Sequence, residues 1–490
     1  MMSPSTWTAW RPIRHRKTTG RHTTFAPVST ASSWSGGAAT AVSVATWICS
    51  RDGRQYSRFS TRSGILTATM FSSGMTEHRF ISVAQAERLI QEHMPLLPAE
   101  AVSLEEAAGR VLREDVYADR PVPPFNRITM DGIAVSSRAV SAGRRRFRIA
   151  GRVLPGQAGR PAVVSPETDC VEVMTGACLP AGFDAVVPYE DVEISEGTAH
   201  LRVPRVPAGM FIHRKGGDAA EGALVLQKGT VLDAARLAAA AGCGKARLRV
   251  GRSPTVAVIS NGNEVVMPGG PIAENQIYGI NNVSIRALLE FHRIRSISTF
   301  HCADDPEQIE KVMGRALSEN DVVLVSGGVS MGKGDFVPAV LERLGVRCVF
   351  HKVRQRPGKP LLFGVRGDTR VVFALPGNPV SAMVCTRRYV LPALFRAMGA
   401  WLGEDPWAEL ERDLAFSPEL TFFPPVIAGA DAGARIRARA LEYHNSGHYL
   451  ALVESSGFVE IPCSRETCYP AGMRVRYFPW QMVLGPSQEV

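Results

Sequence analysis

Val83, Ala86, Leu89 and Ile90 fall on one face of a helix, the first amphipathic stretch of the chain. A second helix is expected over residues 104–112. Ser103 is a suitable N-cap, and Glu105 and Glu106 sit in the first turn, where carboxylates favour the helix dipole. Arg120-Pro-Val-Pro-Pro124 ends that run. From 126 to 214, short apolar runs at 147–149, 163–164, 170–174 and 185–187 alternate with Gly and Pro, the pattern of a small β domain. An Ala-rich helix follows near 233–241.

At Pro254 the pattern changes. Buried-type strands are expected at 255–260, 294–300, 321–326, 346–353, 360–365 and 371–374. Helices are expected at 281–291, 305–317 and 336–344, and Asn378 with Pro379 opens a last one. This alternation predicts a doubly wound, mostly parallel α/β domain over 251–402. Residues 403–490 read as short strands, a β-barrel-like module. The fold class is therefore a multidomain α/β chain.

The 490 residues carry 56 Lys and Arg against 46 Asp and Glu, a net charge of +10. Residues 1–74 hold nine of the basic residues and one acid, so +8 of that charge lies in the leader. The folded body is close to neutral and gives no ground for nucleic-acid binding. The leader is rich in Ser, Thr, Arg and Gly without a sustained period, and is expected to be disordered. Two origins remain open: a transit peptide, or a start assigned upstream of Met75. The absence of amphipathic spacing favours the second. No stretch reaches the ~18 apolar residues of a membrane span. Nine scattered cysteines, none in a C-x-x-C pair, fit reduced thiols in a cytoplasmic protein better than disulfides or a zinc site.

In an open α/β sheet, ligands bind beyond the carboxyl ends of the strands. Four loops lie at such ends: 261–264, 304–305, 327–335 and 376–378. In Ser326-Gly-Gly-Val-Ser-Met-Gly-Lys-Gly-Asp335, the glycines 327, 328 and 332, with Ser330, allow backbone N–H groups to approach an oxyanion. The loop nearly matches a P-loop, but Gly334 replaces the Ser or Thr that holds Mg²⁺. Gly328 to Gly332 also fits the G-x-S-x-G string of a hydrolase elbow, with Asp335 and His351 in chain order, but no helix signal follows Ser330. An anion-cradling loop of another kind fits better than either. Glu264, Asp304 and Asp335 are candidate Mg²⁺ ligands, because that ion takes one or two carboxylates plus phosphates and water. Asp305, just before Pro306, reads as a helix cap. Lys352, Arg354, Arg356 and Lys359 place cations at the same sheet end, as an anionic substrate requires.

Several stretches, taken in order, resemble the molybdopterin molybdenumtransferase family (MoeA and the corresponding part of gephyrin). They are Pro124-Phe-Asn-Arg-Ile-Thr-Met-Asp-Gly-Ile-Ala134, Met174-Thr-Gly-Ala177, Gly216-Gly-Asp218 and Ser260-Asn-Gly-Asn-Glu264. The 326–335 loop, Arg356-Pro-Gly-Lys-Pro360 and Leu375-Pro-Gly-Asn-Pro379 complete the set. The resemblance covers residues 78–490. It implies a four-domain, elongated subunit that forms a homodimer, with 75–125 and 215–250 as the linker and dimerisation domain and 126–214 as the small β domain. The α/β domain would bind the pterin. The reaction would move molybdenum from molybdate to the dithiolene of adenylylated molybdopterin, with Mg²⁺ required and AMP released. Functional positions would fall on Asp131, Thr175, Asp218, Glu264, Asp304, Asp335, Lys352, Arg356, Pro376 and Pro379, with Gly377 and Asn378 in the last turn. Asp131 and Thr175 would reach the partner's α/β domain. Implied partners are the molybdopterin adenylyltransferase and molybdoenzyme-maturation proteins.

The residues agree with such chemistry. A pyrophosphate needs backbone donors and cations, which the 327–334 loop, Lys352, Arg356 and Lys359 supply. AMP release needs a metal to neutralise the departing phosphate, hence the three acids. The dithiolene belongs to the substrate, so no Cys or His cluster is needed. There are departures: Asn126 stands where the family often has Asp, Asn261 and Asn263 replace Thr and Asp, and Arg356 stands where Lys is frequent. Residues 445–449 match only loosely. Two rivals remain, a nucleotide-using enzyme of another class built on the near P-loop and a non-catalytic pterin-binding relative.

Overall fold

The computed structural model describes residues 46–49, 55–58, 79–157, 165–329, 335–442 and 445–482. The chain divides into two units, Met1–Gly74 and Met75–Val490. In the first, Thr46–Cys49 pairs antiparallel with Gln55–Arg58. This short pairing departs from the expectation of a leader without structure, and the other leader residues lie outside the described ones.

In the second unit, residues alternate between the two faces of one sheet, and both faces are covered. Its strands are β1 (Arg79–Ile81), β2 (Val256–Asn261), β3 (Ile297–Cys302), β4 (Val322–Ser326), β5 (Arg347–Val353), β6 (Leu362–Arg366) and β7 (Arg370–Leu375). Their spatial order is β3-β2-β4-β7-β6-β5-β1. Val256, Val258, Val322, Leu324, Val371 and Phe373 enter one core. Ala257, Ile259, Val323, Val325, Val372 and Ala374 enter the other. Such two-sided burial is why these strands read as unbroken apolar runs. The first face is covered by α1 (Val83–His93), α2 (Asn281–Phe291) and α5 (Pro379–Cys385), the second by α3 (Pro306–Glu319) and α4 (Val337–Arg343).

Local signals set the helix ends. Ser82 and Gln85 form a capping box at α1. Asp305 accepts from the N–H groups of Glu307 and Gln308 at α3, with Pro306 in the first turn. Asn378 precedes α5, but its side chain does not cap it; the amide donates to Ser446 Oγ at 2.8 Å instead.

Two expectations need correction. Residues 104–112 form turns, not a helix: Val111 and Leu112 bridge to Val231 and Val250, so β pairing overrides the local helix signal. β1 and α1, grouped by sequence with the linker segment, pack on the α/β sheet: Ile81, Val83, Ala86, Leu89 and Ile90 belong to its first core. The sheet is mostly parallel, as expected, with β6 alone running antiparallel to its neighbours β5 and β7.

The linker segment pairs Ala99–Ser103 with Arg247–Gly251 and carries the helix Ala234–Gly242, capped by Asp233. Residues 132–201 form a six-stranded sheet with its own cores. The expected run at 163–164 lies outside the described residues. Trp407–Leu410, Pro425–Ala430, Ile436–Ala440, Gly457–Glu460 and Arg474–Pro479 close into a five-stranded barrel. Phe423, Phe458 and Phe478 join the first core of the α/β sheet, which docks the barrel beside it.

Candidate active site

The loops after β2, β3, β4 and β7 meet at one rim. At β4 the chain leaves through Gly327 (φ +103°), where a Cβ would lie 2.5 Å from the Asn261 carbonyl oxygen. Only glycine permits that approach between the β2 and β4 loops. Asn261 Nδ2 donates to Asp304 Oδ1 at 2.6 Å, the Asn263 N–H to Asp304 Oδ2 at 3.2 Å, and the Asp304 N–H to Asn263 Oδ1 at 3.0 Å. The two asparagines thus clasp the β2 loop to the β3 loop. Asn281, at the start of α2, donates to Ser326 Oγ and to the Gly377 carbonyl, both at 2.7 Å, and ties the β4 and β7 loops together.

These loops line a cleft of about 1030 Å³. It brings together Glu264, Asp304, Asp335, Gly327, Gly328, Arg356, Lys359, Pro376, Gly377, Asn378 and Pro379. Ser330 and Gly332 lie outside the described residues. Lys352 (φ +77°) is close in sequence to the cationic turn but does not line the cleft. Asp131, Thr175 and Asp218 do not line it either. Asp131 Oδ1 accepts from the Thr175 N–H at 2.6 Å and the Thr175 hydroxyl at 2.7 Å, and these two bonds hold its carboxyl below the usual carboxylate range. Asp218 contacts His213 Nε2 at 2.8 Å.

Sequence reasoning missed part of the wall. The barrel contributes Leu420, Ser446, Gly447 and Tyr449. It also steadies the cationic turn, since Thr421 and Phe423 donate their N–H groups to the carbonyls of Arg354 and Arg356. Asn281 was missed as well, although two asparagines in succession at a helix start were a signal. The hydrolase and P-loop readings lose support, because a helix opened at Ser330 or Lys333 would run through Asp335 and Phe336, which are not helical.

The donors around the cleft suit a hard cation. Among the described residues no group of three or more His, Cys, Asp and Glu is placed to hold a metal. Three carboxylates nevertheless share the cleft, and Mg²⁺ needs only one or two of them beside phosphate and water. The nearby thiols do not suit a soft metal: burial pushes Cys302 up to about 11 and Cys385 up to about 12.

Residues 81–244 match the family described as the MoeA N-terminal region (domains I and II). Residues 257–396 match a probable molybdopterin binding domain. The molybdopterin molybdenumtransferase of Synechocystis sp. is 35% identical over 403 residues, covering 82% of this chain and 100% of that protein. The chain belongs to the molybdopterin molybdenumtransferase family. It is an enzyme of that type, with a role in molybdenum cofactor biosynthesis. The molybdenumtransferase of Haemophilus influenzae is 31% identical over 411 residues, covering 83% of this chain and all of that protein. The crystal structure of the molybdopterin biosynthesis MoeA protein from Pyrococcus horikoshii superposes with a TM-score of 0.66 at 31% identity, over 82% of this chain and 99% of that one. No helix among the described residues is long and apolar enough to cross a membrane.

Proposed function

We propose that the cleft binds adenylylated molybdopterin, and that molybdenum from molybdate enters its dithiolene as AMP leaves, with Mg²⁺ required. The observation that carries this reading is the meeting of separate acids and cations around backbone turns at one sheet rim. A pyrophosphate with a bound cation is the ligand that satisfies both signs at once. Arg356 and Lys359 would face the phosphate oxygens, with N–H groups near Gly327 and Gly328. One or two of Glu264, Asp304 and Asp335 would hold Mg²⁺, which when bound supplies charge neutralisation for the departing phosphate. Pro376 to Pro379 would form the adjoining turn. Asp131, Thr175 and Asp218 would act on the partner's cleft in a homodimer, and Lys352 would set the path into the cationic turn.

The test incubates the full chain with adenylylated molybdopterin, molybdate and Mg²⁺, and scores AMP release and active cofactor. Release that depends on both Mg²⁺ and molybdate is expected. ATP turnover without pterin would favour the other nucleotide chemistry, and binding without AMP release would favour a non-catalytic role.

A further inference from the structure

Beneath the cationic turn lies a polar side chain to which the reading above gives no role. Gln355 is fully buried, at 0% exposure, yet both ends of its amide are engaged. Nε2 donates to the Pro357 carbonyl at 3.2 Å and lies 3.6 Å from Cys385 Sγ. Oε1 accepts from the Tyr389 hydroxyl. The turn rests directly on this amide. Gly358 has φ +93°, and a Cβ there would lie 2.4 Å from Gln355 Nε2 and 2.6 Å from Cys385 Sγ. Arg356 and Lys359, in the same turn, are exposed and line the cleft.

Tyr389 is itself fixed. It sits in a π-helical turn, Thr386–Val390, that follows α5. Such turns are rare and are frequent at functional sites. Arg387 donates to the Pro479 carbonyl and to Asp405, both at 2.6 Å. Arg388 donates to Glu87 of α1 at 3.0 Å and lies 3.5 Å from Glu460 of the barrel. Both guanidinium groups stack on Phe478. The turn that carries Tyr389 is thus tied to α1 and to the barrel.

We propose that Gln355 and Tyr389 are positioning residues for phosphate binding. Tyr389 fixes the amide of Gln355, the amide fixes the Pro357 carbonyl, and that backbone aims Arg356 and Lys359 into the cleft. This rests on the phosphate-binding reading of the cleft. An apolar residue of similar size would fill the same space but leave the Pro357 carbonyl and the Tyr389 hydroxyl unpaired. A primary amide donates and accepts from one rigid plane without a change of protonation state, and Asn is a methylene shorter. Long Arg and Lys side chains on an unfixed turn lose rotamer freedom on binding, and a fixed turn lessens that loss.

The test compares the full-length protein with Tyr389→Phe, which removes one oxygen atom, and Gln355→Met. Three quantities are read: calorimetric affinity for inorganic pyrophosphate, KM and kcat for AMP release, and melting temperature. Each single variant is expected to weaken pyrophosphate binding and raise KM about fivefold, with kcat held within about twofold. The double variant is expected to be no weaker than Gln355→Met, because Tyr389 acts through Gln355. A lower melting temperature with pyrophosphate affinity and KM unchanged would overturn the proposal, since the pair would then be structural only. Multiplicative losses in the double variant would overturn the relay. A wild-type protein that binds no pyrophosphate would instead sink the reading of the cleft itself.

Discussion

The two ends of the central sheet handle charge in opposite ways. At the amino-terminal end Asp321 is buried, and both its oxygens are engaged. Arg252 grips both carboxylate oxygens at 2.8 and 2.9 Å, Arg370 approaches at 3.3 Å, and Thr255 donates its N–H and hydroxyl at 2.9 and 3.0 Å. Burial alone would raise this carboxyl's pKa, but the bonds from Arg252 and Thr255 outweigh it and hold the group below the usual range. At the carboxyl end, among the described residues, no ion pair joins Glu264, Asp304, Arg356 or Lys359 to another side chain, and Asp304 takes only neutral donors from Asn261 and Asn263. One end spends its charges on the fold. The other keeps acids and cations apart in one cleft, where a ligand bearing both signs can satisfy them.

Charge changes at the two ends should therefore move different observables. The largest effect is expected from Asp335→Asn: AMP release falls about 10³-fold, roughly 4 kcal/mol of barrier, with the melting temperature unchanged. Near-normal turnover would remove Asp335 from the chemistry. Asp321→Asn should do the reverse, costing about 2 kcal/mol of stability by removing the buried carboxylate that the half-buried Arg252 and Arg370 bond, while AMP release per folded molecule stays intact. Denaturant titrations across pH sharpen this. A carboxyl whose folded pKa is depressed contributes stability above its unfolded value near ~3.9, and that contribution is lost as pH falls through the folded value. Wild-type stability should therefore fall more steeply in acid than that of Asp321→Asn; parallel curves would contradict the account.

Arg356→Ala should raise KM about tenfold, as expected for one charge-assisted hydrogen bond, and should weaken the salt dependence of binding. The smallest effect concerns the Asp131–Thr175 pair outside the cleft. Thr175→Val removes the hydroxyl bond but keeps the N–H bond, so the Asp131 titration followed by NMR should move partway up toward the ordinary carboxylate value. No movement would mean that the hydroxyl contributes nothing there.

Much of the α/β domain was legible because burial on both faces leaves a plain mark. Asn281–Phe291 has the bounds that its spacing predicts, and 255–260 falls one residue from Val256–Asn261. The rim loops were legible for the same reason, since strand ends locate them. The antiparallel β6–β7 pair is marked locally too, by Gly367-Asp368 between two strands with no helix. At 103–106 the local signal was real: Ser103 and Glu106 exchange capping-box bonds at 3.2 and 3.4 Å. Gly109 at φ +77° and the bridges of Val111 and Leu112 then take the chain into β pairing. The parts of the site supplied by Ser446 and Tyr449 had no local mark, because they enter the cleft only through docking of the barrel.

Hydrogen exchange of the full-length protein, with and without adenylylated molybdopterin and Mg²⁺, tests the central claim most directly. The account predicts that amides at 262–264, 327–328, 356, 358–359 and 377–378 gain protection together and lose it together when Mg²⁺ is chelated. Protection confined to one of these segments, or appearing elsewhere with all of them unchanged, would contradict it.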